Sequence, residues 1–202
     1  MDNYYYIIAG LPLLQGDFTN YKFSYAGTSA AIREQLSAKD NRKVDWLEFG
    51  FNPDNLSAHF YSAVGRCGSA FLGKYYDFDR KMRNACVLHI AGKEGRDASS
   101  YTIGEADTDF EEFPKLERIL GTEDILEREK GLDMLRWEKI NSLTAFSTFE
   151  MDTILAFLAK GHIVRRWLDM DKGKGAEMMA RFLAEVRSTF NLETVNNQIN
   201  NI

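Results

Sequence analysis

Apolar residues recur three or four positions apart along most of this chain, the spacing that lines one face of an α-helix. The pattern is densest at 137–146, where Trp137, Ile140, Leu143 and Phe146 follow one another before the chain breaks. Ser147-Thr148-Phe149-Glu150 has the order of a capping box, in which a cap hydroxyl and a Glu carboxylate reciprocally satisfy open amide donors. Met151, Ile154, Leu155, Phe157 and Leu158 then make a wide apolar stripe, and Gly161 is expected to stop that helix. Upstream, the run from Tyr4 to Ala9, closed by Gly10 and Pro12, fits either a strand or a buried helical turn. Thr28 or Ser29 is expected to cap a helix reaching about Lys39, with Ile32 and Leu36 inward. Asn52-Pro53-Asp54-Asn55 is a turn, followed by a helix carrying Leu56, Phe60 and Val64. A longer helix over about 74–91 places Tyr75, Phe78, Met82, Ala85 and Leu88 on one side.

Glycines, serines and an acidic run at 105–112 then break the periodicity, so 92–113 reads as a surface loop. Pro114 suits the first turn of the next helix, with Leu116, Ile119 and Leu120 following, and Thr122 is the expected cap of another that leads through Ile125, Leu132 and Leu135 into Trp137. Lys172-Gly173-Lys174-Gly175 separates a last helix, 176–190, whose inward side is Met178 or Met179, Phe182, Leu183 and Val186; the Asn-rich tail 191–202 is expected to fray. The fold class is mostly α: one helical domain of two lobes, about 1–91 and 114–190, joined by the acidic loop 92–113.

Composition agrees with a folded domain. Of 202 residues 45% are apolar and 13% aromatic, enough to offset the entropy of ordering, and only three prolines interrupt helices. Cys67 and Cys86 stand far apart and read as buried thiols of a reducing cytoplasm. No run approaches the about 18 apolar residues of a membrane span, and the start lacks the basic region of a secretory signal, so a cytoplasmic protein is expected. The net charge of -5 argues against nucleic acid as the partner.

Several short patterns fall away on inspection. Gly68 to Lys74 has the glycine and lysine spacing of a phosphate-binding loop, but Tyr75 stands where a magnesium-binding hydroxyl is required. Gly173-x-Gly175 lacks the strand and third glycine of a dinucleotide site. Asp107, Asp109 and Glu111 alternate like a calcium loop, yet Glu112 occupies the position of the obligatory glycine. His59, His89 and His162 are dispersed, and no nucleophile elbow occurs. No cofactor or metal ligand set is therefore expected.

Three separated blocks carry a resemblance: 3–12, 76–85 and 149–167. Together they resemble an uncharacterised bacterial family encoded among the subunits of V/A-type ATP synthases, in the place of the central-stalk funnel protein designated C. The blocks are distantly similar to that funnel protein itself, designated d in eukaryotes, a helical body between rotor ring and central shaft. Its units begin with an aromatic-Asp-x-x-Asn type of helix start, to which Phe78-Asp79 with Asn84, and Phe149 to Asp152, are loosely similar. The chain is shorter than a usual funnel protein of this kind, which implies a reduced version of two units.

The resemblance implies a non-catalytic central-stalk component that couples the rotor shaft to the membrane ring, cytoplasmic and peripheral to the inner membrane. Such an adaptor needs a stiff helical body and interface anchors of aromatic and arginine type. The partner-binding candidates are Trp137, Arg165, Arg166 and Trp167, with Asp79, Arg83 and Asn84 from the middle block; each also fits a structural role in core, cap or i,i+4 pair. Two other readings stay open: an assembly factor or regulator of the same ATPase, and a helical hydrolase using Asp77, Asp79 and Glu105 on a metal beside His59 or His89.

Overall fold

Serines set the starts of four helices. The side-chain oxygens of Ser24, Ser37, Ser57 and Ser69 accept from the backbone N–H groups of Gly27, Asp40, Phe60 and Leu72, each three residues on. In the computed structural model, which describes residues 4–18, 22–170 and 181, these caps open α2 (Tyr25–Gln35), α3 (Ala38–Phe49), α4 (Ala58–Val64) and α5 (Ala70–Glu94). α1 (Tyr4–Ala9) precedes them, and α6 (Phe113–Leu120), α7 (Ile125–Leu143) and α8 (Met151–Asp169) follow. No strand occurs among the described residues. The helix expected at 176–190 and the tail after it lie outside them.

Local expectations are corrected at several points. The cap at Thr28 or Ser29 is one turn late. The single helix to Lys39 is two, because Leu36 is extended and Ser37 restarts the chain as α3. Asp124, not Thr122, caps α7 through Glu127 N at 2.9 Å. The capping box at Ser147 does not form: Glu150 makes no side-chain cap bond, and Ser147 contributes only its carbonyl, which accepts from Thr153 Oγ1 at 3.1 Å. Residues 68–74 are the turn at Gly68 (φ 80°) and the first residues of α5, with helix α4 ahead of them where a phosphate loop has a strand.

Gly161 does not end its helix. α8 runs through it, and the glycine is there for close approach. A Cβ at this position would lie 2.9 Å from Phe23 Cζ and 3.3 Å from Tyr25 Cδ2. The entry to α2 thus crosses directly over α8, which also receives α1, α3 and α7.

The buried apolar side chains form two cores. The larger gathers α1 to α4, the first half of α5 (Phe71, Leu72, Tyr75, Tyr76), the second half of α7 (Trp137, Ile140) and α8. The smaller is built from Phe78, Met82 and Ala85 of α5, Leu116 and Leu120 of α6, and Leu132 and Leu135 of α7. The division therefore does not fall at 92–113 along the chain. α5 and α7 pass through both cores in opposite order, and each carries a buried aspartate where it crosses, Asp79 and Asp133.

Residues 95–112, between α5 and α6, are pinned as well as exposed. Asn84 donates Nδ2 to the Ile103 carbonyl at 3.0 Å and accepts from Ile103 N at 2.9 Å. Arg80 Nη1 donates to the carbonyls of Ile103 and Glu105 at 3.3 and 3.2 Å.

Candidate functional site, a charged seam between three helices

The helical period places Asp79 and Arg83 one turn apart on α5, and Asp133 and Arg136 three residues apart on α7. α8 brings Arg166 and Trp167 to the same place. Asp79 Oδ2 accepts from the Tyr61 hydroxyl at 2.8 Å and from Arg83 Nε at 2.7 Å, while Oδ1 lies 3.7 Å from Arg136 Nε. Arg136 Nη1 donates to Asp133 Oδ1 at 3.0 Å. Asp133 Oδ2 accepts from Trp167 Nε1 at 2.7 Å and from Nε and Nη2 of Arg166, whose Nη1 reaches Glu129 at 3.3 Å.

A carboxylate removed from water is tolerated only when paired and hydrogen-bonded, and these two are. Burial opposes the charge on Arg136, but Asp79 and Asp133 on either side outweigh it and hold its pKa above the ordinary value. Burial, reinforced by the charge and hydrogen bond of Asp79, raises the Tyr61 phenol, so it stays protonated and donates.

The candidates from the sequence differ in where they lie and how exposed they are. Asp79, Arg83, Arg166 and Trp167 meet in this network. Trp137, Asp79 and Asn84 are buried, so they are not exposed anchors. Trp137 is in the larger core because its stripe on α7 faces Phe18, whose ring lies 5.7 Å from Trp137 and stacks on Trp167 at 5.6 Å. Asn84 is occupied with Ile103. Arg165 is the exposed one, its guanidinium 5.2 Å from the Tyr25 ring and its pair with Asp169 long at 3.9 Å.

Asp133 and Arg136, the hub of the network, escaped the sequence reading. Their signal was an opposite-charge pair beside the buried positions Leu132, Leu135 and Trp137. The aromatic surface was missed too. α7 ends at Leu143, so Phe146, expected inward, is 99% exposed. Tyr5 and Tyr6 of α1 are also exposed, and the Tyr5 ring lies 5.0 Å from that of Phe149, itself half exposed.

The carboxylates of the hydrolase reading do not gather. Asp77 pairs with Arg80 and Lys81, and Asp79 belongs to the seam. Among the described residues no group of three or more His, Cys, Asp or Glu is placed to hold a metal. Both cysteines are free thiols, and burial pushes that of Cys86 up. No described helix is long and apolar enough to cross a membrane.

No curated protein and no solved structure matches the chain. A family model does match, over residues 1–57 and 51–189, which is nearly the whole length. The chain therefore belongs to the family described as protein of unknown function DUF2764.

Proposed function

We propose that this chain is a non-catalytic central-stalk component of a bacterial V/A-type ATP synthase, similar to the funnel protein of that stalk, that couples the rotor shaft to the membrane ring. The observation that carries this reading is the meeting of the three blocks in which the resemblance lies. α1, from the first block, packs on α8, from the third. Asp79, from the middle block, is linked through Arg136 and Asp133 to Arg166 of α8. A coupling element must pass force between surfaces without internal sliding, and helices locked by close packing and a paired charge seam supply such a body. Tyr5, Tyr6, Phe146 and Phe149 offer the exposed aromatic anchors that such docking uses, with Arg165 on α8 as an exposed cation. The protein is then cytoplasmic and held at the inner membrane through its partners.

The test is a pull-down of the tagged protein from native membranes, with mass spectrometry before and after a salt wash. Stoichiometric shaft and ring subunits surviving the wash support a permanent component. Recovery only before the wash, or at substoichiometric levels, would favour an assembly factor, and recovery of neither shaft nor ring sinks both readings. Tyr6→Ser with Phe146→Ser should reduce recovery while leaving the fold intact.

A further inference from the structure

The charged seam opens on a cleft of about 140 Å³ between α5, α7, α8 and the turn after α3. Its lining sets three guanidinium groups, Arg83, Arg136 and Arg166, against two carboxylates, Asp79 and Asp133. The wall therefore carries an excess of one positive charge, and Glu129, which also pairs with Arg166, is not part of that wall.

Hydrogen bonding is equally one-sided. Asp79 and Asp133 are engaged by Tyr61, Arg83, Arg136, Arg166 and Trp167. Among the described residues Arg83 donates only through its Nε, and Arg136 Nη2 has no acceptor. Tyr75 lines the same cleft, is 7% exposed, and its hydroxyl has no hydrogen-bond partner among them. Nδ1 of His162, another lining residue, is buried without a partner. Arg83 and Arg136 approach different oxygens of Asp79, at 2.7 and 3.7 Å, and each keeps amino groups to spare.

Guanidinium amino groups that no protein carboxylate or carbonyl engages are left to water or to a bound anion. Here they converge with a net positive charge in a space large enough for one small anionic group. We propose that this cleft binds a small oxyanion, a phosphate or carboxylate group, held by Arg83 and Arg136 with the Tyr75 hydroxyl as a further donor. Paired N–H groups of guanidinium match the oxygen spacing of both anions. His162 stacks on Phe51 with ring centroids 3.8 Å apart and closes one side as a neutral imidazole. Burial, aided by the charge of Arg165, depresses its pKa to about 4, so the arginines supply the charge. The site does not depend on the stalk reading.

Calorimetric titration of the full chain with sodium phosphate, and separately with sodium acetate, tests this against sodium chloride at matched ionic strength. Saturable binding of one oxyanion is expected, with the tighter of the two naming the class. Arg83→Gln and Tyr75→Phe should each weaken it by roughly tenfold, since each removes donors to a charged group. Arg42→Gln, on the exposed side of α3, should leave it unchanged. Arg83 is partly exposed and Tyr75→Phe keeps the ring, so both variants should fold, which thermal melting checks. Chloride matching both oxyanions, or unchanged oxyanion affinity in both folded variants, would overturn the site.

Discussion

The two cores differ first in size, and polar ties such as Tyr76 to the Leu47 carbonyl and Arg33 to Glu48 flank the larger one too. The larger closes over α8 with tightly packed aromatic and aliphatic groups, among them Phe60, Tyr76, Ile154 and Leu155. The smaller rests, among the described residues, on seven buried ones and is ringed by polar ties: Asn84 to Ile103, Lys139 to Glu112, and Lys115 to Glu138. A small apolar core contributes less burial, so directional bonds carry more of its definition. Between the two runs the seam of Asp79, Arg136 and Asp133. It binds α5 to α7 and, through Arg166 and Trp167, α7 to α8. Apolar packing thus supplies bulk stability, while the paired charges fix how the two parts are registered.

The largest effect should come from the larger core. Leu155→Ala, at a position with no exposure, should cost about 4 kcal/mol of unfolding free energy, against about 2.5 for Leu116→Ala in the smaller core, which has more freedom to relax. Urea denaturation measures both, and equal losses would mean that the cores do not differ in stiffness.

Next is the seam. Asp133→Ala takes from Arg136 and Arg166 the buried carboxylate they share, leaving each one weaker partner, and should cost about 3 kcal/mol. A double-mutant cycle with Arg166→Ala should recover about 1 kcal/mol or more as coupling, and additive losses would show that the pair contributes nothing specific.

His162, on the larger core's side, makes stability depend on pH. Its folded pKa, about 4, lies below the 6.5 of the exposed group. As pH falls through 6.5 the unfolded chain takes up a proton that the folded protein refuses. Stability is therefore full above about 6.5 and declines towards pH 4, by on the order of 2 kcal/mol. His162→Phe keeps a ring against Phe51 and should flatten the pH 7 to 4.5 difference relative to wild type; an unchanged difference refutes the role of this imidazole.

Smaller effects test the polar ties and the surface. Asn84→Ala should cost about 1 kcal/mol and raise amide exchange selectively around Ile103, whereas uniform exchange along α5 would argue against a loop clamp. Phe146→Ser, at a fully exposed ring, should change stability by less than about 0.5 kcal/mol. A larger change would place that ring in the fold and remove it from the docking surface.

Helix content was legible because apolar spacing at three and four residues is a local property of the chain, and the stripes of α5, α7 and α8 show it directly. Pro114 at the start of α6 and the turn Asn52 to Asn55 followed from backbone restrictions that need no neighbours. Caps were less legible: Ser24, Thr28 and Ser29 all offer a hydroxyl, and the choice depends on where the preceding residues are held. Of the seam's residues, Asp79, Arg83, Arg166 and Trp167 stood out in the sequence as partner-binding candidates, whereas Asp133 and Arg136 did not. An opposite-charge pair on a helix has the same spacing whether solvated or buried.

The sequence alone determined that this is a helical protein, where most of its helices run, and that its chain can bury a sizeable core. Tertiary structure decided which residues the neighbours demand. Gly161 marks a crossing point inside a helix because Phe23 and Tyr25 need its missing side chain, and Phe146 is exposed because α7 stops before reaching it. Trp137 is buried while Arg165 is exposed. Helical period is written by adjacent residues, whereas burial and charge pairing depend on segments far apart in the chain that meet only after folding.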